Sequence, residues 1–272
     1  MMDLSLETEA FGCTLHTSEN EVPTVVGALV TDEDEADELE IPQVGDARTG
    51  LYIEAAKKAK SRITDRPVLA GVIGPFSLAG RLMDVTEALA NCICDPDFVH
   101  AVMRKTTLFL IEYTKAYKAA GLDGIVMSEP LSGLLSPALE EEFSAPYCKE
   151  LIDAVQDESF AVIYHNCGPN TPKMTDSLSA LGASAYHFGD AVQLEEILDK
   201  MPADRVVMGN ISPSKQFLGG TPDSMAQAVK ELLEKCAGHK NFLLSSGCDI
   251  LPKSSWDNIR AFFRASEEFY AE

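Results

Sequence analysis

Basic residues are scarce in this chain: 22 lysines and arginines stand against 43 aspartates and glutamates, leaving a formal charge of −21. Nucleic acids and anionic membrane surfaces are bound through clustered cations, so neither is expected as a partner. Absent too is an apolar run long enough to span a bilayer, and no segment has the build of a signal peptide. The acidic opening MMDLSLETEAFGC is unlike a mitochondrial presequence, and cytoplasm is the expected location. No GxGxxG fingerprint accompanies the apolar runs, which argues against dinucleotide binding. Cysteines number seven, odd and irregularly spaced, so a secreted disulfide framework is not expected. Reduced thiols fit better, some of them buried as small hydrophobes.

What the chain does have is alternation. From residue 66 onward, short apolar runs alternate with helical patterns: RPVLAGVIG, GIVMSEP, FAVIYHNCG, AYHFG, VVMGNIS and NFLLSSGCD read as strands. Between the first two lies residues 95–121, a long amphipathic helix with Asp95 as N-cap, Pro96 in its first turn and Gly121 at its end. Further helices are expected over 171–181 and 222–236, in AVQLEEILDKM and at the C-terminus, with Pro146 bending or breaking the one before FAVIYHNCG. The acidic stretch TDEDEADELE, residues 31–40, reads as a solvated charged face or as a helix capped by Thr31. Near-continuous apolar strands separated by helices indicate a parallel sheet covered by helices. With 272 residues and 46% hydrophobics, a single α/β domain spanning 1–272 is expected, a (β/α)8 TIM-type barrel. Six strands are two short of eight, so residues 1–65 must supply the others or the barrel is distorted or N-terminally shortened.

The polar residues cluster at strand ends. His165 and Cys167 are two positions apart, so on a strand they share a face, about 7 Å apart along the backbone. Cys248 ends a later apolar run, and barrel curvature brings such ends together. Two readings stand at this point. The three are a packed cysteine pair beside a hydrogen-bonded histidine, or they are ligands of Zn2+, a soft N/S2 set with a fourth position open. Two thiolates neutralise much of the metal's charge. Such a site is a poor generator of hydroxide but a good holder of a substrate thiolate, and alkyl transfer to sulfur is the chemistry it suits.

Glu129, at the end of GIVMSEP, is a candidate catalytic carboxylate: proton acceptor, partner of a ligand or resting fourth ligand, with a helix-capping or surface carboxylate as the competing role. Asn210 in GNIS is a candidate for binding substrate, cofactor or a ligand loop. His187 reads as a rim histidine engaged in hydrogen bonding. Cys13, Cys92, Cys94, Cys148 and Cys236 read as structural or incidental.

The stretches MDLSLETEAFGC, VIGPFSLAG, GLLSP, HNCG with Thr171, MGNISP and SSGCDILPKSSWDNIRAF span nearly the whole chain. Together they resemble the uroporphyrinogen decarboxylase superfamily, and within it the zinc-dependent methylcobamide:coenzyme M methyltransferases. The resemblance implies His165, Cys167 and Cys248 as zinc ligands in a distorted (β/α)8 barrel. It further implies a methylated corrinoid, carried on a corrinoid protein, as donor and a small thiol as acceptor. Tetrahydrofolate is an alternative acceptor, and a corrinoid- or metal-binding module without turnover is a non-enzymatic alternative. Uroporphyrinogen decarboxylation is the competing activity. In the family it depends on an N-terminal segment, bearing arginines and an aspartate, that has no match here, and decarboxylases carry His where this chain has Cys248. Family members usually carry further sequence before the MDLSLE block, including an early strand, which leaves closure of the barrel an open question.

Overall fold

The structure is a computed structural model in which residues 3–18 and 23–271 are described. Met2 of the MDLSLETEAFGC block therefore lies outside the described residues. The N-terminal part holds α1 (Leu6–Ala10), a short antiparallel hairpin of β1 (Leu15–His16) and β2 (Thr24–Val25), α2 (Glu33–Glu38) and α3 (Thr49–Arg62). The repeating part runs β3 (Leu69–Ile73), α4 (Pro75–Met83), α5 (Val85–Cys94), α6 (Pro96–Ala119), β4 (Gly124–Ser128), α7 (Pro137–Phe143) and α8 (Ala145–Val155). It continues through β5 (Ala161–Asn166), α9 (Thr175–Ala180), β6 (Ala185–Phe188), α10 (Leu194–Leu198), β7 (Val206–Ile211), α11 (Pro222–Cys236), β8 (Phe242–Ser246) and α12 (Trp256–Ala271).

All six expected strands form, and they pair in chain order, β3 to β8, every pair parallel. Among the described residues β3 and β8 do not pair, so the sheet is an open arc of TIM type. The described residues of 3–18 and 23–65 contribute helices and the small hairpin, not two further strands of this sheet. Among the described residues this sheet therefore has six strands, not eight, in a distorted TIM-type arrangement.

Local sequence explains the elements. Asp95 accepts a hydrogen bond from the Phe98 N–H, Pro96 occupies the first turn, and α6 ends just before Gly121, whose φ of +87° suits only glycine well. Its buried stripe of Val99, Val102, Met103, Thr106, Leu110, Tyr113 and Tyr117 follows helical spacing. The expected break falls at Ser144, with Pro146 in the first turn of α8. The 171–181 segment is a 3-10 turn, Thr171–Lys173, followed by α9. In the acidic stretch the cap is Asp32, one residue after the expected Thr31. Its carboxylate accepts from the Glu35 N–H, while Thr31 donates its N–H and hydroxyl to Glu35 Oε2. The reason is reciprocal capping: Glu35 reaches back past the cap, so the residue before Asp32 becomes its partner.

Strand alternation divides the sheet into two faces. Ile125, Met127, Val162, Tyr164, Tyr186, Phe188 and Val207 are fully buried in the principal core. Ile211, Phe217, Met225, Val229 and Phe262 form a second core against α11 and α12. On the other face Ser128, His165, His187, Met208 and Leu243 are register neighbours across five strands. Those positions are less covered toward β8, where Leu243 is 48% exposed, because no strand closes the arc there. Among the described residues no helix is long and apolar enough to cross a membrane.

Three buried carboxyls, Glu7, Glu129 and Glu140, give the fold a pH dependence. Burial pushes Glu7, Glu129 and Glu140 up from 4.5 to about 7. A carboxyl raised in the folded state favours folding in its protonated form, so its contribution is complete below the unfolded value and is lost as pH rises through 7. Each is worth up to about 3 kcal/mol by linkage. Thermal melts of chelator-treated protein are expected to show a midpoint that falls between pH 5.5 and 8, and Glu140→Gln should flatten that fall. A midpoint that rises over the same range would contradict this account. Chelation removes the opposite trend that metal binding would impose.

Candidate metal centre

His165 is the penultimate residue of β5, and Cys167 follows the strand directly. Tyr164 and Asn166 alternate onto the opposite face, where Asn166 donates to the Ser132 and Tyr164 hydroxyls. Asn166 Oδ1 accepts from the Gly168 N–H, which turns the chain at once after Cys167. Gly168 itself sits against Gly133: a methyl added to Gly168 would lie 2.4 Å from the Gly133 Cα. The glycine in HNCG is thus required by the close approach of two strand-end loops.

Cys248 arrives from β8, two residues after Ser246, whose hydroxyl donates to the Cys248 carbonyl. The ligand atoms of His165, Cys167 and Cys248 all lie within 4.8 Å of one another, and Cys248 Sγ is 3.6 Å from His165 Nε2. A tetrahedral zinc sets N and S ligand atoms roughly 3.5–3.8 Å apart, so this donor set fits one. The structure therefore brings together all three residues singled out in the sequence. The other cysteines carry no disulfide, and Cys13, Cys92, Cys148 and Cys236 are buried.

The surroundings prepare these groups. His165 Nδ1–H donates to the His187 carbonyl at 3.1 Å, which turns Nε2 to the side of Cys248. The His187 ring donates from Nε2 to the Ser246 carbonyl at 2.6 Å, tying β6 to the strand end that carries Cys248. Burial, and then the His165 ring beside it, pull His187 down to about 4, so it stays neutral in this role. The Cys167 thiol, followed by the His165 ring, holds Cys248 well below the usual thiol range. Cys248 and then burial push Cys167 up in return.

Glu129 and Asn210 have other partners. The Glu129 carboxylate is fully buried and accepts from the Phe76 and Ser77 N–H groups at 2.9 and 2.6 Å and from the Ser77 hydroxyl. It thus caps the first turn of α4, and Cys148 Sγ lies 3.7 Å from it. It is not part of the three-ligand group. Asn210 Nδ2 donates to the Gly189 and Val192 carbonyls, both at 2.9 Å, which anchors the loop after β6. That loop presses on the centre, since a methyl on Gly189 would lie 2.5 Å from the Cys167 Cβ. Sequence reasoning missed Gly189, Gly133 and Ser77, whose roles arise from contacts between distant segments.

A cavity of about 810 Å³ opens beside the centre, lined by His165, His187, Ser128, Ser246 and Cys248 and, from α4, by Arg81. A three-donor group at the wall of such a cavity leaves access for a further ligand, the arrangement of catalytic metal sites.

The uroporphyrinogen decarboxylase (URO-D) family model matches residues 1–269. The chain belongs to that family. It is 25% identical to the methylcobamide:CoM methyltransferase of Methanosarcina acetivorans, over 98% of this chain and 78% of that protein. It is also 25% identical to a uroporphyrinogen decarboxylase of Christiangramia forsetii, over 84% of this chain and 67% of the relative. Among solved structures, a methyltransferase from Methanosarcina mazei superposes with a TM-score of 0.88 at 24% identity, covering 98% of this chain and 78% of that one. The fold is therefore that of the family, and the family contains both methyltransferases and decarboxylases.

Proposed function

We propose that the protein is a zinc-dependent methyltransferase that moves a methyl group from a methylated corrinoid, held by a corrinoid protein, to a small thiol such as coenzyme M. The observation that carries this reading is the convergence of His165, Cys167 and Cys248 at the wall of an open cavity. Zinc held there would supply a Lewis acid that lowers the pKa of an incoming thiol and keeps it as thiolate near neutral pH.

The chain's own groups do the rest. His187 fixes the His165 ring through its carbonyl and ties β6 to the end of β8 through its own ring. Asn210 anchors the Gly189 loop behind Cys167. Glu129 fixes the start of α4, and with it the wall of the cavity that carries Arg81. In the reaction the thiol proton leaves to solvent and sulfur forms the new S–C bond. The Co–C bond breaks with both electrons remaining on cobalt, so methyl passes as a cation equivalent and no external oxidant or reductant is needed.

The test is loss of the methyl–cobalt absorption of methylcobalamin with a panel of thiols, run beside tetrahydrofolate and beside uroporphyrinogen. Demethylation with a thiol, abolished by His165→Ala, is the expected result. Turnover with tetrahydrofolate alone would retain the donor and overturn the thiol acceptor. Formation of coproporphyrinogen by the pure protein would replace this reading with decarboxylation.

A further inference from the structure

The last helix, α12, buries one side against α11 and leaves an aromatic stripe on the other. Ala261 and Phe262 belong to the second core, and Ile259, Ala265 and Phe269 pack against it. Trp256, Phe263 and Tyr270 point away from that core and are 70, 59 and 64% exposed. They fall seven residues apart, so all three stand on one line of the helix, two turns between neighbours. A seven-residue repeat is the spacing with which one helix packs along another, and exposed aromatics are the usual anchors of protein interfaces.

The charges beside the stripe say what covers it. Arg260 and Glu267 each follow an aromatic by four residues and share one flank of the stripe. When two copies of α12 lie antiparallel with Phe263 against Phe263 on the two-fold axis, Trp256 of each meets Tyr270 of the other. Arg260 lies three residues before that axis and Glu267 four after it. Arg260 of one copy therefore comes level with Glu267 of the other to within one residue's rise, ~1.5 Å along the helix. Symmetry makes the contact twice. A parallel pairing offers no such match, since Arg260 and Glu267 would face Ser255 and Phe262, and Phe262 is turned into the chain's own core. Arg260 does touch Asp257 on its own helix at 3.1 Å, but both side chains are mostly exposed and such a surface pair holds weakly.

Repulsion between two chains of charge −21 opposes self-contact on an average face. This helix is different: two arginines stand against three acids over Trp256–Ala271, so it is nearly neutral. Its three aromatics offer roughly 400 Å² per copy, about half of what each side of a standard interface buries, and the flanking charged side chains add to it.

We propose that the exposed face of α12 is a self-association surface. A second copy of this chain docks on it antiparallel, through Trp256, Phe263 and Tyr270, with Arg260 of each copy paired to Glu267 of the other. Among the described residues none of α12 lines the cavity beside the metal centre, so this dimer stands or falls independently of the proposed reaction.

Sedimentation equilibrium of the whole chain in ~0.15 M salt, where long-range repulsion is screened, tests this. Trp256, the chain's single tryptophan, gives a local readout. Wild type should pass from monomer to dimer over the micromolar range, its emission shifting to the blue as Trp256 leaves water. Phe263→Glu changes an exposed position and spares the core; it should weaken the dimer about thirtyfold or more, the effect of losing a central anchor. Arg260→Glu and Glu267→Arg should each weaken it about fivefold or more. An equimolar mixture of those two variants should recover dimers, because mixed pairs restore opposite charges at both contacts. Within one chain the two positions are about 10 Å apart along the helix, so recovery on mixing reports contact between copies alone. A chain that stays monomeric through ~100 μM, its emission unchanged, would overturn the proposal and leave the face to another partner. A dimer that all three variants retain would place the contact elsewhere and overturn it too. Failure of the mixture to recover would exclude the antiparallel register.

Discussion

Cys248→Ala should reduce zinc from near-stoichiometric to about a tenth of an equivalent or less after dialysis, because two protein ligands rarely retain the ion. The same change should lower thiol-dependent demethylation of methylcobalamin by on the order of a thousandfold, the effect of removing a Lewis acid worth several kcal/mol. Elemental analysis and the cobalt–carbon absorbance measure the two effects separately. Cys248 is the informative position because it is the ligand delivered from a distant strand, and it lies 3.6 Å from His165 Nε2. Cys236→Ala serves as a control: it also deletes a buried thiol, from α11, away from the three-ligand group. Equal zinc in wild type and Cys248→Ala would remove Cys248 from the centre and return the group to a packed thiol pair.

Parts of this site were legible in the sequence because strand geometry has a short period. His165 and Cys167 fall on one face by alternation, and Cys248 ends a run that could only be another strand. The helix over Pro96–Ala119 was equally plain, since Asp95, Pro96 and Gly121 mark both ends. Less visible was the partner of Glu129. A carboxylate at a strand end faces either the rim or the helix beside it, and what decided was the first turn of α4, more than 50 residues earlier in the chain. Asn210 was likewise visible as a strand-end amide, but its carbonyl partners at Gly189 and Val192 belong to a loop with no sequence signature. The open arc was foreshadowed by counting strands. The described residues before β3 instead form α1 to α3, packed onto α4 and α6, and the small hairpin. Arg81 was invisible for a related reason: one arginine in an apolar helix looks like any other until the wall it occupies is known.

The loop glycine behind Cys167 offers a test of the centre that leaves all three ligands in place. Gly189→Ala adds a methyl that would sit 2.5 Å from the Cys167 Cβ and 2.6 Å from its Cα, closer than packed atoms allow. The backbone cannot easily yield, because the Gly189 N–H donates to the Asn166 carbonyl at 3.1 Å and its own carbonyl accepts from Asn210. Cys167 must therefore move, at a cost of about 1–3 kcal/mol typical of overpacking. A displaced ligand should weaken zinc about 10- to 100-fold in competition with a chromogenic chelator, the range seen when ligand orientation is disturbed. X-ray absorption should show one fewer sulfur neighbour. Gly182→Ala is the matching control, since its φ of +77° makes alanine strained there while nothing lies within 4 Å of the added methyl. It should destabilise the fold modestly and leave zinc affinity alone. If Gly189→Ala also binds zinc as wild type does, with both sulfurs retained, Cys167 is mobile enough to follow its loop, and the close packing described here does not hold the ligand in place.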